Sequence, residues 1–333
     1  LHTAYRRQRQ MCIRDRYTRS ESALISSMME MVVNGVSTRK VSKVVETLCG
    51  TSFSKSTVSK ICSELDKPVR EFKDRPITEE YPIVTVDATF FKVREDHRVI
   101  SKALMIAYAI NRFGYREIIG FDVFSKESND TWIEFFQGLR RRGLRSVKLI
   151  ISDAHEGIQK AIAVVYPDTA WQRCQFHFSK NIAEKAPKKY QKGLRAELQE
   201  MYNCETIEAA RARRDEIIHD YRDVAESAME CLENGFESAM TVMIFSKGLR
   251  KALRTSNHIE RLNKELKRRS HAIGIFPNEE SLLRLMGAVM MERNDMLQQA
   301  KRRVIYNPGM EELSQCEQQL KQIAKEQMQM RAA

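Results

Sequence analysis

From Arg19 to about Val69 the apolar residues recur at helical spacing. Leu24, Met28, Met31 and Val32 lie three and four positions apart, which lays one buried stripe along a helix. Gly35 interrupts this run, and Ser37-Thr38-Arg39-Lys40-Val41 opens a second helix with Val41, Val44, Val45 and Leu48 expected on its inner face. Gly50 is expected to end it. A third helix is expected over Ser54–Ile61, capped by Ser54 or Ser56. Two short helices joined by a Gly-containing turn, the second rich in Ser, Thr and Lys, have the layout of a helix-turn-helix. Lys55, Ser56, Ser59 and Lys60 would then face phosphates or base edges. A plain three-helix packing unit has the same spacing.

After Pro76 β-rich runs take over. Ile83-Val84-Thr85-Val86 predicts a short strand ending on Asp87, continued by Phe90-Phe91-Lys92-Val93, and Ile100–Ile110 and Tyr115–Phe124 predict two more with a turn at 111–114. An amphipathic helix is predicted next, over Asp130–Leu139. A buried strand over Val147–Ile151 ends on Ser152-Asp153, and a helix from Glu156 to Val165 is stopped by Pro167. Strand runs first, then strand alternating with helix, predict an α/β fold with a mixed sheet flanked by helices. Leu194, Leu198 and Met201, then Ile207, Ala210, Ile217, Ile218 and Tyr221, fall at helical spacings, so the stretch from about 182 to 250 reads as all helix.

Composition narrows the function. The 333 residues suffice for two or three domains, and 42% hydrophobic residues exclude a wholly disordered chain. The longest apolar run, Ala103–Ile110, is far short of the roughly 20 residues that span a bilayer. The first twenty residues are arginine-rich without an apolar segment, so no secretory signal is expected. A soluble, cytoplasmic protein without a membrane partner is expected. Fifty-six Lys and Arg against 44 Asp and Glu leave a net charge of +12, which suits a nucleic-acid partner. The seven cysteines are scattered without a CxxC pair, arguing against a disulfide framework or a structural zinc module.

Two strands ending on aspartates, Asp87 and Asp153, are the chemically informative feature. Strand ends far apart in sequence can lie side by side, and two carboxylates at one edge repel unless a divalent cation sits between them. Mg²⁺ suits such hard oxygen ligands, and two ions about 4 Å apart serve phosphodiester chemistry. Each aspartate taken alone reads first as a strand-to-loop cap, and it is the pair that suggests a site. Further along, Asn257-His258-Ile259-Glu260-Arg261-Leu262-Asn263-Lys264-Glu265-Leu266-Lys267-Arg268-Arg269 predicts a helix capped by Asn257, with Ile259, Leu262 and Leu266 inward. Glu260, Lys264 and Lys267 share another face, so a carboxylate is followed by a basic ridge. Glu260 could instead complete a capping box with Asn257.

Taken together, the residues resemble the bacterial Mutator-type insertion-sequence transposases. The resemblance rests on Val86-Asp87-Ala88-Thr89, Ser152-Asp153-Ala154-His155-Glu156-Gly157, Trp171 to Asn181 with Cys174 and His177, and Asn257 to Glu265 followed by Ile275-Phe276-Pro277-Asn278. The blocks occur in the family's order and cover roughly residues 17 to 305.

The resemblance implies a DDE transposase: an RNase H-like catalytic core with an all-helical insertion, preceded by a helix-turn-helix domain. Asp87, Asp153 and Glu260 would be the catalytic acids, holding two Mg²⁺ ions for which Mn²⁺ could substitute. The segments would be a basic leader over 1–16, a DNA-binding domain over 17–76, the core over 77–181 and 251–305, the insertion over 182–250, and a helical tail over 306–333. Cys174 and His177 match the family's C-x2-H signature. As a zinc site they supply two ligands with no second pair nearby, so a role in shaping the site or holding DNA is expected. His155 could contact a phosphate or transfer a proton, or simply pack at a helix start.

Arg261, Lys264, Lys267, Arg268 and Arg269 are candidates for holding the DNA strand, as are Lys180, Lys185, Lys188 and Lys189. Double-stranded DNA, namely terminal inverted repeats and target, is the expected partner, with a homodimer or larger assembly joining two ends near the bacterial nucleoid. The chain opens on Leu1, and its leader (LHTAYRRQRQMCIRDR) lacks the helical periodicity that sets in near Tyr17, so an N-terminally truncated copy is expected. The alternative functions are a catalytically inactive helix-turn-helix regulator and a stand-alone nuclease that cuts without joining.

Overall fold

The computed structural model describes residues 23–49 and 53–332. The leader expected over 1–16, the start of the 17–76 segment and the helix end expected at Gly50 lie outside the described residues. The chain divides into two compact units. One comprises the described part of Leu1–Phe72 with Phe91–Ile100 and Lys264–Glu292, and the other comprises Lys73–Phe90, Ser101–Asn263 and Arg293–Ala333.

The first unit opens with α1 (23–33), α2 (Thr38–Cys49), α3 (Lys55–Cys62) and α4 (Asp66–Asp74). Gly35 turns the chain after α1 at φ +88°, a left-handed backbone that only glycine adopts without strain. Met28, Val41, Val45, Val58 and Cys62 form the buried centre. Val44 and Leu48, expected inside, are exposed. Val41 and Val45 are about one helical turn apart and take the inner face, while Val44 and Leu48 lie on a stripe rotated about 60° from it, toward the helix edge. Ser54 caps α3, its side chain accepting from Thr57 N at 3.1 Å. Arg284 clamps Asp66 through two hydrogen bonds of 2.6 and 2.8 Å.

The sheet is built from β1 (Ile83–Glu95), β2 (Arg98–Ile110), β3 (Arg116–Phe124), β4 (Leu149–Ser152) and β5 (Ala170–Arg173), in the order β3-β2-β1-β4-β5. β2 and β3 pair antiparallel, while β4 runs parallel to both β1 and β5. A two-residue turn at Asp96 and His97, both at positive φ, joins β1 to β2. β6 (Ile275–Phe276) lies off this path and pairs with the far end of β1 in the first unit. The expectation that a strand ends on Asp87 is corrected here. Thr89, Phe91 and Val93 are buried in alternation beyond it, so one strand continues to Glu95 and Asp87 lies inside it.

Between the strands run α5 (Asn129–Arg141) and α6 (Glu156–Val165). Trp132, Phe136, Ile158 and Ile162 from these helices meet Val84, Val86, Met105 and Ile150 on one sheet face. The other face carries Ile83, Leu149 and Ile151 against Val242, Phe245, Leu249 and Leu253. This split follows from the period of two, and it sets odd-numbered residues of β1 and β4 on one side.

After β5 come α7 (Gln175–Lys185), α8 (Lys188–Tyr202), α9 (Ile207–Tyr221), α10 (Glu226–Ala239) and α11 (Lys247–Leu253). α7 to α10 share a separate apolar centre containing Phe178, Leu194, Leu198, Met201, Ile217 and Phe236. α12 (Asn257–Ser270), α13 (Glu279–Ala300), α14 (Asn307–Gln315) and α15 (Glu317–Ala332) complete the described chain. Among the described residues no helix is long and apolar enough to cross a membrane. Cys62, Cys174, Cys204, Cys231 and Cys316 are free.

Candidate active site

Strand pairing brings the two aspartates together. Ile83 faces Leu149, Val84 faces Ile150 and Thr85 faces Ile151, a constant offset of 66 (149 − 83). Carried two residues further, the same offset leads from Asp87 to Asp153 (153 − 87), and the charge of Asp153 acts on Asp87. Asp87 Oδ1 accepts from Ala88 N at 2.9 Å, and Oδ2 accepts from Asn263 Nδ2 at 2.7 Å. Burial, reinforced by the charge of Asp153, pushes the Asp87 carboxyl up to about 7. A carboxylate held at that cost is one that a divalent cation would relieve.

Asp153 follows the last residue of β4, where the His155 amide donates to its Oδ1 at 3.4 Å. His155 itself caps α6, its Nδ1 accepting from Gly157 N at 3.1 Å. The helix-start role is therefore the one its ring performs. A Cβ on Gly157 would lie 2.9 Å from Ser128 O, so this close approach requires glycine. Glu127 lies 3.7 Å from the His155 ring and accepts from Trp132 Nε1 at 3.0 Å. Burial pushes Glu127 up, opposed by His155 and the Trp132 bond, while Asp153 adds to the rise. Sequence reasoning misses Glu127, because a single acid ahead of the Ser128 capping box carries no pattern.

Cys174 and His177 sit at the start of α7, which is tied to the approach to α12 by Gln175 N donating to Arg254 O at 2.9 Å. Ser256 donates to Cys174 Sγ twice, from its amide at 3.4 Å and its hydroxyl at 3.1 Å. The Ser256 carbonyl also receives the first bonds of α12, from Ile259 N and Glu260 N. Ser256 rather than Asn257 thus holds the capping position, and Asn257 begins the helix. Ile259, Leu262 and Leu266 are buried as expected, which turns Glu260 toward α7.

His177 Nε2 lies 3.7 Å from Glu260 Oε1. One ligand atom from each of Cys174, His177 and Glu260 falls within 4.8 Å of the others. This corrects the count of two ligands at Cys174 and His177, since a third comes from a helix more than eighty residues away in sequence. Among the described residues Asp87, Asp153 and Glu260 do not close to that degree. The Cys174 thiol, then Glu260 and Asp87, push His177 up to about 9 against its own burial. Burial works against ionisation of Cys174, yet His177 and Ser256 hold its thiol below the usual range. His177 Nδ1, Glu260 Oε1 and Asn263 Oδ1 are buried without a hydrogen-bond partner.

The basic candidates separate by environment. Lys55, Ser56, Ser59, Lys60, Arg261, Lys264, Lys267 and Arg268 are exposed, as are Lys180, Lys185, Lys188 and Lys189. Arg269 is buried, donating to Glu265 at 2.7 Å, to the Val33 carbonyl at 3.1 Å and to both oxygens of Glu292. Those contacts hold the first unit together and remove Arg269 from the strand-holding set. Near Arg261, burial together with Arg116 and Arg261 keeps His258 well below its ordinary range, its ring edge-on to Tyr108 at 5.1 Å.

Residues 9–300 match the family model described as transposase, Mutator family. A transposase for insertion sequence element IS256 in transposon Tn4001 of Staphylococcus aureus is 45% identical over 284 residues, 84% of this chain and 73% of the relative. The transposase for element ISRM5 of Rhizobium meliloti is 36% identical over 288 residues, 86% of this chain and 72% of that protein. The transposase for IS1081 of Mycobacterium tuberculosis is 38% identical over 281 residues, covering 84% and 68%.

Proposed function

Because this chain belongs to the Mutator family of transposases, we propose that it cuts the DNA ends of an insertion sequence and joins each freed 3′-OH to target DNA. Asp87, Asp153 and Glu260 are the three acids of this reading, held on β1, after β4 and on α12. The observation that carries it is the register of β1 and β4, which sets Asp87 beside Asp153 with one carboxyl raised to about 7. The order β3-β2-β1-β4-β5, with a helix carrying Glu260 far along the chain, supports an RNase H-like core. On this reading the helices between 182 and 250 are an insertion, and the exposed start of Ser54-capped α3 is the recognition end of a helix-turn-helix.

The donor set fits Mg²⁺: hard carboxylate oxygens, the Asp87 carboxyl raised by burial and by the charge of Asp153, and a buried Glu260 Oε1 lacking any hydrogen bond. When bound, Mg²⁺ supplies charge neutralisation and activates water or a 3′-OH for in-line attack on a phosphodiester. The chain's own side chains do the positioning. Asn263 and the Ala88 amide fix the two oxygens of Asp87, and the His155 amide orients Asp153. Glu127 braces His155 from behind and keeps the loop after β4 in place. Arg261, Lys264, Lys267 and Arg268 offer exposed charge for the DNA backbone. Bringing two ends together calls for a homodimer or larger assembly on double-stranded DNA, in the bacterial cytoplasm at the nucleoid.

The test is Mg²⁺-dependent nicking and end-joining on DNA carrying the element's termini, with Asp87→Asn, Asp153→Asn and Glu260→Gln alongside. Cutting and joining, both abolished by each substitution while DNA binding persists, is the expected result. Cutting without joining would replace this reading with a nuclease. Binding without cutting would leave a regulator.

A further inference from the structure

We infer that Cys174, His177 and Glu260 form a binding site for a thiophilic divalent ion such as Zn²⁺, distinct in chemistry from the Mg²⁺ site and sharing one carboxylate with it. The three ligand atoms lie within 4.8 Å of one another. Ligand separations in a tetrahedral site with Zn–S near 2.3 Å and Zn–N near 2.0 Å are roughly 3.5 Å, so shifts below about 1 Å would close the set. The contact between His177 Nε2 and Glu260 Oε1 is already 3.7 Å.

The surroundings are those of ligands rather than of a finished hydrogen-bond network. Glu260 Oε1 is buried without a hydrogen bond and meets His177 Nε2 only at 3.7 Å, which in an ordinary core costs free energy without return. Cys174 Sγ is buried and receives two donors from Ser256, the kind of support that steadies a thiolate and orients it. Two helix starts are locked against each other by Gln175 N to Arg254 O, so the ligands from α7 and α12 are held in register before any ion arrives. A thiolate and an imidazole select Zn²⁺ over Mg²⁺, which takes oxygen ligands and gives up its water reluctantly.

Sharing Glu260 has a consequence. An ion held by Cys174 and His177 withdraws Glu260 from the two aspartates, so Zn²⁺ is predicted to inhibit DNA cutting in competition with Mg²⁺. That consequence rests on Glu260 being the third acid; the binding site itself does not.

The experiment is a Co²⁺ titration of the full chain, reduced and freed of metal, followed by absorption spectroscopy. One Co²⁺ per chain is expected to give a near-ultraviolet thiolate-to-metal band and visible bands of tetrahedral strength. Zn²⁺ should displace them, and Mg²⁺ in about 1,000-fold excess should not. Cys174→Ser should abolish the thiolate band, while His177→Gln and Glu260→Gln should weaken Co²⁺ binding by at least about tenfold. Absence of the band, or its survival in Cys174→Ser, overturns the proposal. Should Cys174→Ser fail to fold by circular dichroism, His177→Gln decides: unchanged Co²⁺ affinity and spectrum overturn it. The readout needs no DNA, so a chain that binds Co²⁺ but never cuts refutes only the transposition reading, and one that cuts without binding Co²⁺ refutes only this one.

Discussion

Asn263 Nδ2 donates to Asp87 Oδ2 at 2.7 Å, so the helix that supplies Glu260 grips the first aspartate with a side chain one turn further on. One carboxylate is thereby oriented by the element that carries another. The separation of the two acids along the chain is irrelevant once this bond fixes their approach.

Replacing Asn263 by Ala should therefore damage cutting while sparing the fold. A hydrogen bond to a charged group contributes about 1.5–3 kcal/mol, which corresponds to roughly a 10- to 100-fold fall in the rate of strand nicking. Thermal unfolding should shift by only a few degrees. A variant that nicks at the wild-type rate would remove Asn263 from the site's machinery.

Asp87 also sets a pH dependence. Its folded-state pKa, about 7, lies above the ordinary 3.8, so the stability it contributes is complete below that lower value and is lost as pH rises through about 7. Metal-free protein should lose thermal stability between about pH 4 and pH 8, and Asp87→Asn should flatten that slope. On the proposed function Mg²⁺ would displace the same proton, so Mg²⁺ should stabilise the chain more at about pH 8 than at about pH 6. An identical slope in wild type and Asp87→Asn would assign the titration elsewhere.

Arg268 and Arg269 are adjacent in sequence and opposite in consequence. Arg268 is exposed, and its pairing with Glu265 is a solvent-screened surface ion pair, so Arg268→Ala should leave the unfolding midpoint almost unchanged. Arg269→Ala removes a buried guanidinium from Glu265, Glu292 and the Val33 carbonyl, which should cost about 3–5 kcal/mol. Denaturant unfolding of the two variants separates them, and equal midpoints would contradict the burial of Arg269.

Gly235 lies inside α10, where a Cβ would sit 2.3 Å from Arg173 Nη1 and 2.4 Å from the Phe178 ring. Phe178 is fully buried next to His177, and the Arg173 guanidinium lies 4.2 Å from its ring centre. Gly235→Ala should destabilise by about 1–3 kcal/mol despite alanine's better helix propensity. Denaturant titration would show it, and a stabilised variant would mean that α7 can move away freely.

Much of this is readable from residue order. The bounds of α6 follow from Glu156 and Pro167, and the inward set Ile259, Leu262 and Leu266 follows from spacing alone. The differences have a common origin in local pattern. Asp87 looks like a strand end because a polar residue interrupts an apolar run, yet the buried alternation of Thr89, Phe91 and Val93 carries β1 through it. Val44 and Leu48 are apolar at helical spacing on a face that remains exposed, which periodicity alone cannot distinguish from a buried one. Glu127, Asn263 and Ser256 act through contacts set by tertiary structure, and nothing in their immediate neighbours marks them. The convergence of Glu260 on Cys174 and His177 is likewise a product of chain folding over more than eighty residues.

The shared offset of 66 between β1 and β4 also says which changes of chain length this protein can accommodate. Residues added or lost in the turns after β2 or α5 leave both strands, and hence both aspartates, where they are. A single residue deleted between Ile83 and Asp87 shifts the parity of everything beyond it, sending the carboxylate to the opposite side of the sheet among Val84, Val86 and Ile150. Between Asp87 and Asp153, insertions and deletions should therefore accumulate in loops among functional copies, while within those few strand residues length is fixed.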